Sequence, residues 1–195
     1  MSFITGSVVE TLYASTAPGL TKTTFTTEAQ LNTTATMGVQ AKLLPDFWES
    51  SPRAIGRGVR IEASGVLGCT GTPTIALRVR GGAAANITTT PLLAGSGAVT
   101  LASGLTAVGW KFSVDMFLSS IGANGANSTL TGQGYLLIGG AAAAMWPVFV
   151  GEASPGTVAT LDTSIVNYLN FNAAFSASNA ANTVTLNQLT VYGLN

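Results

Sequence analysis

The sequence predicts an all-β protein, an antiparallel two-sheet sandwich of about eight strands with an extended N-terminal arm. Three observations lead there. Apolar residues recur at every second position through several long runs, the spacing that sends successive side chains to opposite strand faces. Gly, Pro and Asn clusters punctuate those runs at short intervals. No window holds the three-and-four spacing, with caps, of a stable amphipathic helix.

The stretch 56–82 reads as two strands and the turn between them, the opening hairpin of the body. Val59, Ile61 and Ala63 alternate with Arg60, Glu62 and Ser64, and Ile75, Leu77 and Val79 alternate with Ala76, Arg78 and Arg80. Gly71-Thr72-Pro73 supplies the turn, because proline fixes φ and glycine tolerates positive φ. Short strand-like pieces follow at 89–93 and 98–101. In 110–121, Trp110, Phe112, Val114, Met116 and Leu118 form the inward set. Asn124-Gly125 is a strong turn signal. Strands are expected at 128–138 and 145–150, then a turn at Ser154-Pro155-Gly156.

The run 165–177 places Leu169, Phe171, Ala173 and Phe175 inward and Tyr168, Asn170 and Asn172 outward. In the last run, 183–191, the apolar face switches from Val184 and Leu186 to Leu189 and Val191, which a bulge near Gln188 explains. This strand count suits a jelly roll. An immunoglobulin-type sandwich fits less well, because a chain with one cysteine lacks its Cys…Trp…Cys signature.

Two regions are expected: an arm or attachment segment over 1–52 and the jelly-roll β-sandwich over 53–195. The arm holds short β-prone pieces at 3–9, 11–13 and 23–27, and an apolar knot, Leu43-Leu44-Pro45-Asp46-Phe47-Trp48. Its apolar residues are too sparse for a core of its own. It is therefore expected to lie on the body or on a neighbour, with Phe3, Ile4, Val8, Tyr13, Phe25, Phe47 and Trp48 as the interaction candidates.

Composition narrows the function. Hydrophobic residues make up 47% of the 195 residues and charged residues 8%, against roughly 25% charged in an average soluble domain. Such a chain has the means to bury a core and is not of disordered type. Eight basic residues balance eight acidic ones. No basic stripe is present to neutralise a phosphate backbone, so nucleic acid is not an expected partner. Cys69 is the sole cysteine and reads as a small apolar filler. The first residues carry no positive region before an apolar core, so no signal peptide is expected. The uncharged stretch 134–151 is broken by Gly139-Gly140 and Pro147. It reads as two buried strands, 135–138 and 146–150, rather than as a membrane span.

Histidine is absent. That removes Ser-His-Asp and Cys-His nucleophilic machinery and the commonest metal ligand. The acids are scattered singly, where a glycosidase needs two that face each other. Asp115 is placed to pair across the sheet with Arg60, Arg78 or Arg80. Gly95-Ser96-Gly97 and Gly132-Gln133-Gly134 read as turn or bulge material rather than phosphate cradles. No catalytic residue, metal or cofactor is expected.

Motif order adds a resemblance. Gly56-Arg57-Gly58-Val59-Arg60-Ile61, Gly65-Val66-Leu67, Thr70-Gly71-Thr72-Pro73-Thr74 and Leu77-Arg78-Val79-Arg80 are followed by Gly109-Trp110, Thr131-Gly132-Gln133-Gly134 and the closing run 176–185. In this order they resemble a group of virion proteins of tailed bacteriophages, over residues 53–195. The resemblance implies a non-enzymatic jelly-roll module on a capsid or tail, often a homotrimer. It implies binding to further copies of itself and to the major capsid protein or other virion subunits, in a virion assembled in the host cytoplasm. Two roles stay open. The favoured one is a capsid decoration (cement) protein fastened by the arm. The other is a tail-tip or receptor-binding module whose loops 83–90, 121–128 and 179–182 touch a host surface glycan.

Overall fold

The computed structural model describes residues 9–33, 37, 40–48, 56–85, 90–123, 126–139, 145–152 and 159–194. Four short strands come first: β1 (Val9–Ala14), β2 (Lys22–Thr23), β3 (Ala29–Gln30) and β4 (Lys42–Leu43), followed by a one-turn helix, α1 (Pro45–Trp48). The long strands begin with β5 (Gly58–Gly68) and β6 (Thr74–Gly82), then β7 (Leu92–Gly95), β8 (Val99–Thr100) and β9 (Val108–Ser120). They end with β10 (Ser128–Ile138), β11 (Met145–Val150), β12 (Ala159–Leu161), β13 (Asn167–Phe175) and β14 (Thr183–Leu194).

All pairings are antiparallel. The hydrogen-bonded path runs β1-β14-β5-β9-β10-β11-β7-β6-β13-β3, with β2 added to β14, β4 to β13, β8 to β6 and β12 to β10. The sheet curls back on itself. Trp110 and Phe112 of β9 meet Phe171 of β13, although those strands are far apart along the path. The Trp110 and Phe171 rings stack with centroids 5.8 Å apart, and Phe112 meets Phe171 edge-on at 5.1 Å. Aromatic pairs of this kind add to the burial they already provide.

Period-two alternation accounts for the long strands. Val59, Ile61 and Ala63 are buried, as are Ile75, Leu77 and Val79, and the inward set of β9 from Trp110 to Leu118. Arg60, Glu62, Arg78 and Arg80 lie on the outer faces, half-exposed. The bulge near Gln188 is present as a register shift between Leu186 and Gln188 against β5. The stretch 134–151 contributes the end of β10 and β11, paired with Leu136 opposite Trp146. No helix among the described residues is long and apolar enough to cross a membrane.

Several expectations need correction. Among the described residues fourteen strands form, where about eight were expected for the body, because the N-terminal pieces and the three-residue β12 also join the sheet. β5 and β6 are not a hairpin. β5 lies between β14 and β9, and β6 between β7 and β13. The turn is real, with Gly71 at φ 65°, but it carries the chain to a different part of the curled sheet. Both strands have a wholly apolar face, and separating them in the sheet lets those faces share one core. Gly132-Gln133-Gly134 lies inside β10 rather than in a turn. Asn170 and Asn172 point to the outer face as expected, yet both are 0% exposed because the N-terminal segment covers them. The expected turns at Asn124-Gly125 and Ser154-Pro155-Gly156 lie outside the described residues.

The N-terminal segment follows β14 and then β13 in reverse. Val9 to Ala14 pair with Leu194 to Thr190, the Ser15 amide donates to Leu189 O (2.9 Å), the Gly19 amide to Leu186 O (2.7 Å), and β2 pairs with Val184 and Thr183. The chain then moves to β13. Ala29 and Gln30 pair with Ala173 and Asn172, the Leu31 amide donates to Phe171 O (2.8 Å), the Leu169 amide to Ala41 O (2.8 Å), and Lys42 and Leu43 pair with Tyr168 and Asn167. Gly19, on the β14 leg, sits against the Leu31 carbonyl of the β13 leg. A Cβ there would stand 2.6 Å from Leu31 O and 3.2 Å from Leu186 O. Leu31, Met37, Ala41 and Leu43 are all buried in the common core. A Leu31→Ala variant is therefore expected to lose about 2–5 kcal/mol of stability in one cooperative urea transition. A segment merely resting on the surface would give almost no change.

Candidate functional site

Two surfaces gather chemistry-bearing side chains. The first is built by the N-terminal segment. Of the interaction candidates read from the sequence, Phe3, Ile4 and Val8 lie outside the described residues. Trp48 is 1% exposed and belongs to its own chain's core. Tyr13, Phe25 and Phe47 are half-buried against that core. Burial raises the Tyr13 hydroxyl above its ordinary pKa. Phe25 meets Phe175 edge-on at 5.4 Å, and Phe47 meets Trp48 edge-on at 4.8 Å. The Arg57 guanidinium lies 4.9 Å from the Phe47 ring centroid, in cation–π range.

Phe47 is also one wall of a cavity of about 340 Å³ that it shares with Leu12, Leu43 and Leu44, rimmed by Glu10, Lys42, Asp46 and Arg57. Leu44 of this cavity is 46% exposed, and Val9, on the other face of β1 from Glu10 and Leu12, is 58% exposed. Sequence reasoning missed these two as individual contacts. Alternation marks a strand, but it does not say which strand ends up at an edge.

The second surface is an open groove of about 600 Å³ on the outer face of β5, β9 and β10, lined by Arg60, Glu62, Ser113, Asp115, Phe117, Gln133 and Tyr135 with Gly132 and Gly134. Register sets its rows. Arg60, Asp115 and Gln133 align across three strands, as do Glu62, Ser113 and Tyr135. Arg60 donates from Nε to Asp115 Oδ1 and from Nη2 to Oδ2, both at 2.7 Å. The Asp115 hydrogen bond, against a smaller opposing effect of burial, raises the Arg60 pKa further. Lys111 Nζ lies 3.4 Å from Glu62 Oε2. Gly132 and Gly134 let β9 and β10 approach closely beneath the groove. A Cβ on Gly132 or Gly134 would collide with the β9 carbonyl oxygens of Asp115 or Ser113, and Gly132 has φ 151°. Gly58 leaves room for the Phe117 ring, whose Cδ1 would lie 2.5 Å from a Cβ there.

A charge cluster ties the N-terminal segment to the far face of the sheet. Arg80 donates from Nε to Glu28 Oε1 (2.7 Å) and from Nη2 to Oε2 (2.9 Å). Arg78 donates from Nε to Glu152 Oε2 (2.7 Å) and approaches Glu28 Oε2 at 3.4 Å. Of the three arginines considered for Asp115, the fold gives it Arg60 and commits the other two here. Among the described residues no three His, Cys, Asp or Glu side chains gather as a metal site would require.

No family model matches the chain, and no curated protein does. Among solved structures, a marine PL-14 alginate lyase from Aplysia kurodai aligns over 93% of this chain and 98% of its own, with 7% identity and a TM-score of 0.38. At that score the likeness carries no argument about fold or activity.

Burial alone would raise the Glu28 carboxyl, but the hydrogen bonds and charges of Arg80 and Arg78 outweigh it and hold the pKa below the ordinary 4.5. A depressed folded-state pKa contributes stability that is complete above the unfolded value and lost as pH falls through the folded one. The melting temperature is therefore expected to drop on acidification below pH 4.5. Glu28→Gln should cost roughly 1–3 kcal/mol at neutral pH and flatten that acid limb. An unchanged acid limb in the variant would assign it to other carboxylates.

Proposed function

We propose that this chain is a non-enzymatic attachment protein of a tailed-phage particle, a jelly roll that binds the head as a decoration (cement) protein. The observation that carries this reading is the edge formed by β1. Among the described residues β1 pairs with β14 alone. Its other side presents ladder groups to an incoming strand, the arrangement used in β-augmentation. Exposed Val9 and Leu44 and the Phe47 cavity flank it with apolar surface.

The carboxylates point the same way. Glu28, Glu62, Asp115 and Glu152 are each paired with arginine or lysine, so none of these four stands poised as a general acid. Attachment then rests on backbone pairing and apolar burial rather than on charge. With so few charges to keep copies apart, a homotrimer belongs to the same reading. The curl that brings β9 against β13 supports treating the sheet as the two layers of a jelly roll.

The groove on β5, β9 and β10 favours a second reading, a tail-tip module that binds a host surface glycan. Copy number separates the two. Mass spectrometry of particles carrying the chain should find it in proportion to the major shell subunit. Added back to particles that lack it, the parent chain should bind and raise their rupture temperature. Val9→Glu and Leu44→Glu, both at exposed positions, should stay folded and fail to bind. Tail-like stoichiometry, or unimpaired binding by both variants, would reject the decoration role.

A further inference from the structure

We propose that the groove on the outer face of β5, β9 and β10 binds a short, uncharged oligosaccharide. This rests on the second reading's groove, to which it gives a ligand class, and it does not depend on where on a particle the chain sits.

The lining has the two components that a pyranose needs. Phe117 and Tyr135 are half-exposed rings on the neighbouring strands β9 and β10, able to cover the C–H face of a sugar. Between them lie groups suited to a pair of vicinal hydroxyls. The bidentate bond to Asp115 uses two of the five Arg60 N–H donors, which leaves others to donate. Each Asp115 oxygen keeps acceptor capacity beside them. Gln133 is exposed and supplies both a donor and an acceptor from one amide. Because the ion pair locks Arg60 and Asp115 to each other, their free donors and acceptors are already oriented before a ligand arrives, which lowers the ordering cost of binding.

Charge selects among sugars. The groove holds one cation, Arg60, against two carboxylates, Asp115 and Glu62, and the nearby Lys111 is engaged with Glu62. These charges cancel in pairs, Arg60 with Asp115 and Lys111 with Glu62, so no uncompensated cation favours a uronate, sulfate or phosphate group over a neutral sugar. The volume, about 600 Å³, lies within the usual range for small-ligand sites of roughly 300–1,000 Å³. Gly132 and Gly134 do not tolerate a Cβ, which would collide with the β9 backbone, so the close approach of β9 and β10 under the groove depends on glycine at both positions.

The test uses the whole chain, isotope-labelled, titrated by NMR with maltotriose, cellotriose and chitotriose, and with trigalacturonate as the acidic counterpart. At least one neutral trisaccharide, at up to about 10 mM, should shift the amides of Gly132 to Tyr135 and of Asp115, and trigalacturonate should not. Gln133→Ala and Tyr135→Ala should each weaken that binding by roughly tenfold or more. Tyr135→Phe, which keeps the ring, should retain most of it; it also checks that Tyr135→Ala acts through lost stacking and not lost fold. No shift in this groove with any neutral sugar, a response to trigalacturonate alone, or shifts confined to another surface would each overturn the proposal.

Discussion

The two strands at the end of the chain, β13 and β14, each need a partner on their outer side, and the N-terminal segment supplies both. Buried backbone groups must be paired, so this requirement fixes the path of the described residues between 9 and 43. The segment descends β14 as far as β2, with Gly19 packed between the carbonyls of Leu186 and Leu31, then crosses to β13 and returns along it. Where regular pairing lapses, Asn32 takes over. Its Oδ1 accepts from the Phe171 amide (2.7 Å) and its Nδ2 donates to Leu169 O (2.9 Å), as a further strand residue would. The seam also carries Leu31, Met37 and Trp48 into the core that Trp110 and Phe171 organise.

Polar groups give that seam its register. Asn170 Oδ1 accepts from Gln30 Nε2 (2.9 Å) and Gln40 Nε2 (3.2 Å), and Gln40 Nε2 also reaches Leu169 O (2.7 Å). A one-residue slip of the segment would strand these buried amides without partners, at a cost of about 1–3 kcal/mol each. The Glu28 carboxylate, held by Arg80 and Arg78, fixes the same stretch against β6. Apolar side chains alone would allow neighbouring registers, and matched amides and charges do not.

Much of the fold was legible because its signal is local. The alternation of Val59 to Ser64, of Ile75 to Arg80 and of Trp110 to Leu118 states which face is buried, and the switch from Leu186 to Leu189 marks the bulge. The partner of each strand is not a local property. Gly71-Thr72-Pro73 makes a turn whether the chain doubles back beside itself or crosses to another part of the sheet, so the expected hairpin of β5 and β6 did not form. Asn170 and Asn172 looked solvent-facing because their cover comes from residues more than a hundred positions earlier in the chain. The groove was hidden for the same reason. Gly132 and Gly134 read as punctuation until the register with β9 placed them opposite Met116 and Val114, where the missing side chains let β10 lie close against β9. Of the interaction candidates, Phe47 reaches a surface cavity, whereas the Trp48 beside it is wholly spent on the core.

Folded this way, the described part of the N-terminal segment serves two ends. One side of the segment completes the sheet, and β1 at its start turns an edge outward with apolar neighbours. The account therefore stands on the segment being a permanent part of the sheet. Hydrogen–deuterium exchange tests that most directly. The amides of Ser15, Gly19 and Leu31 should exchange as slowly as those of β13 and β14, and be released with them in a single unfolding event. Rapid exchange at those three amides while Leu169 and Phe171 stay protected would contradict it.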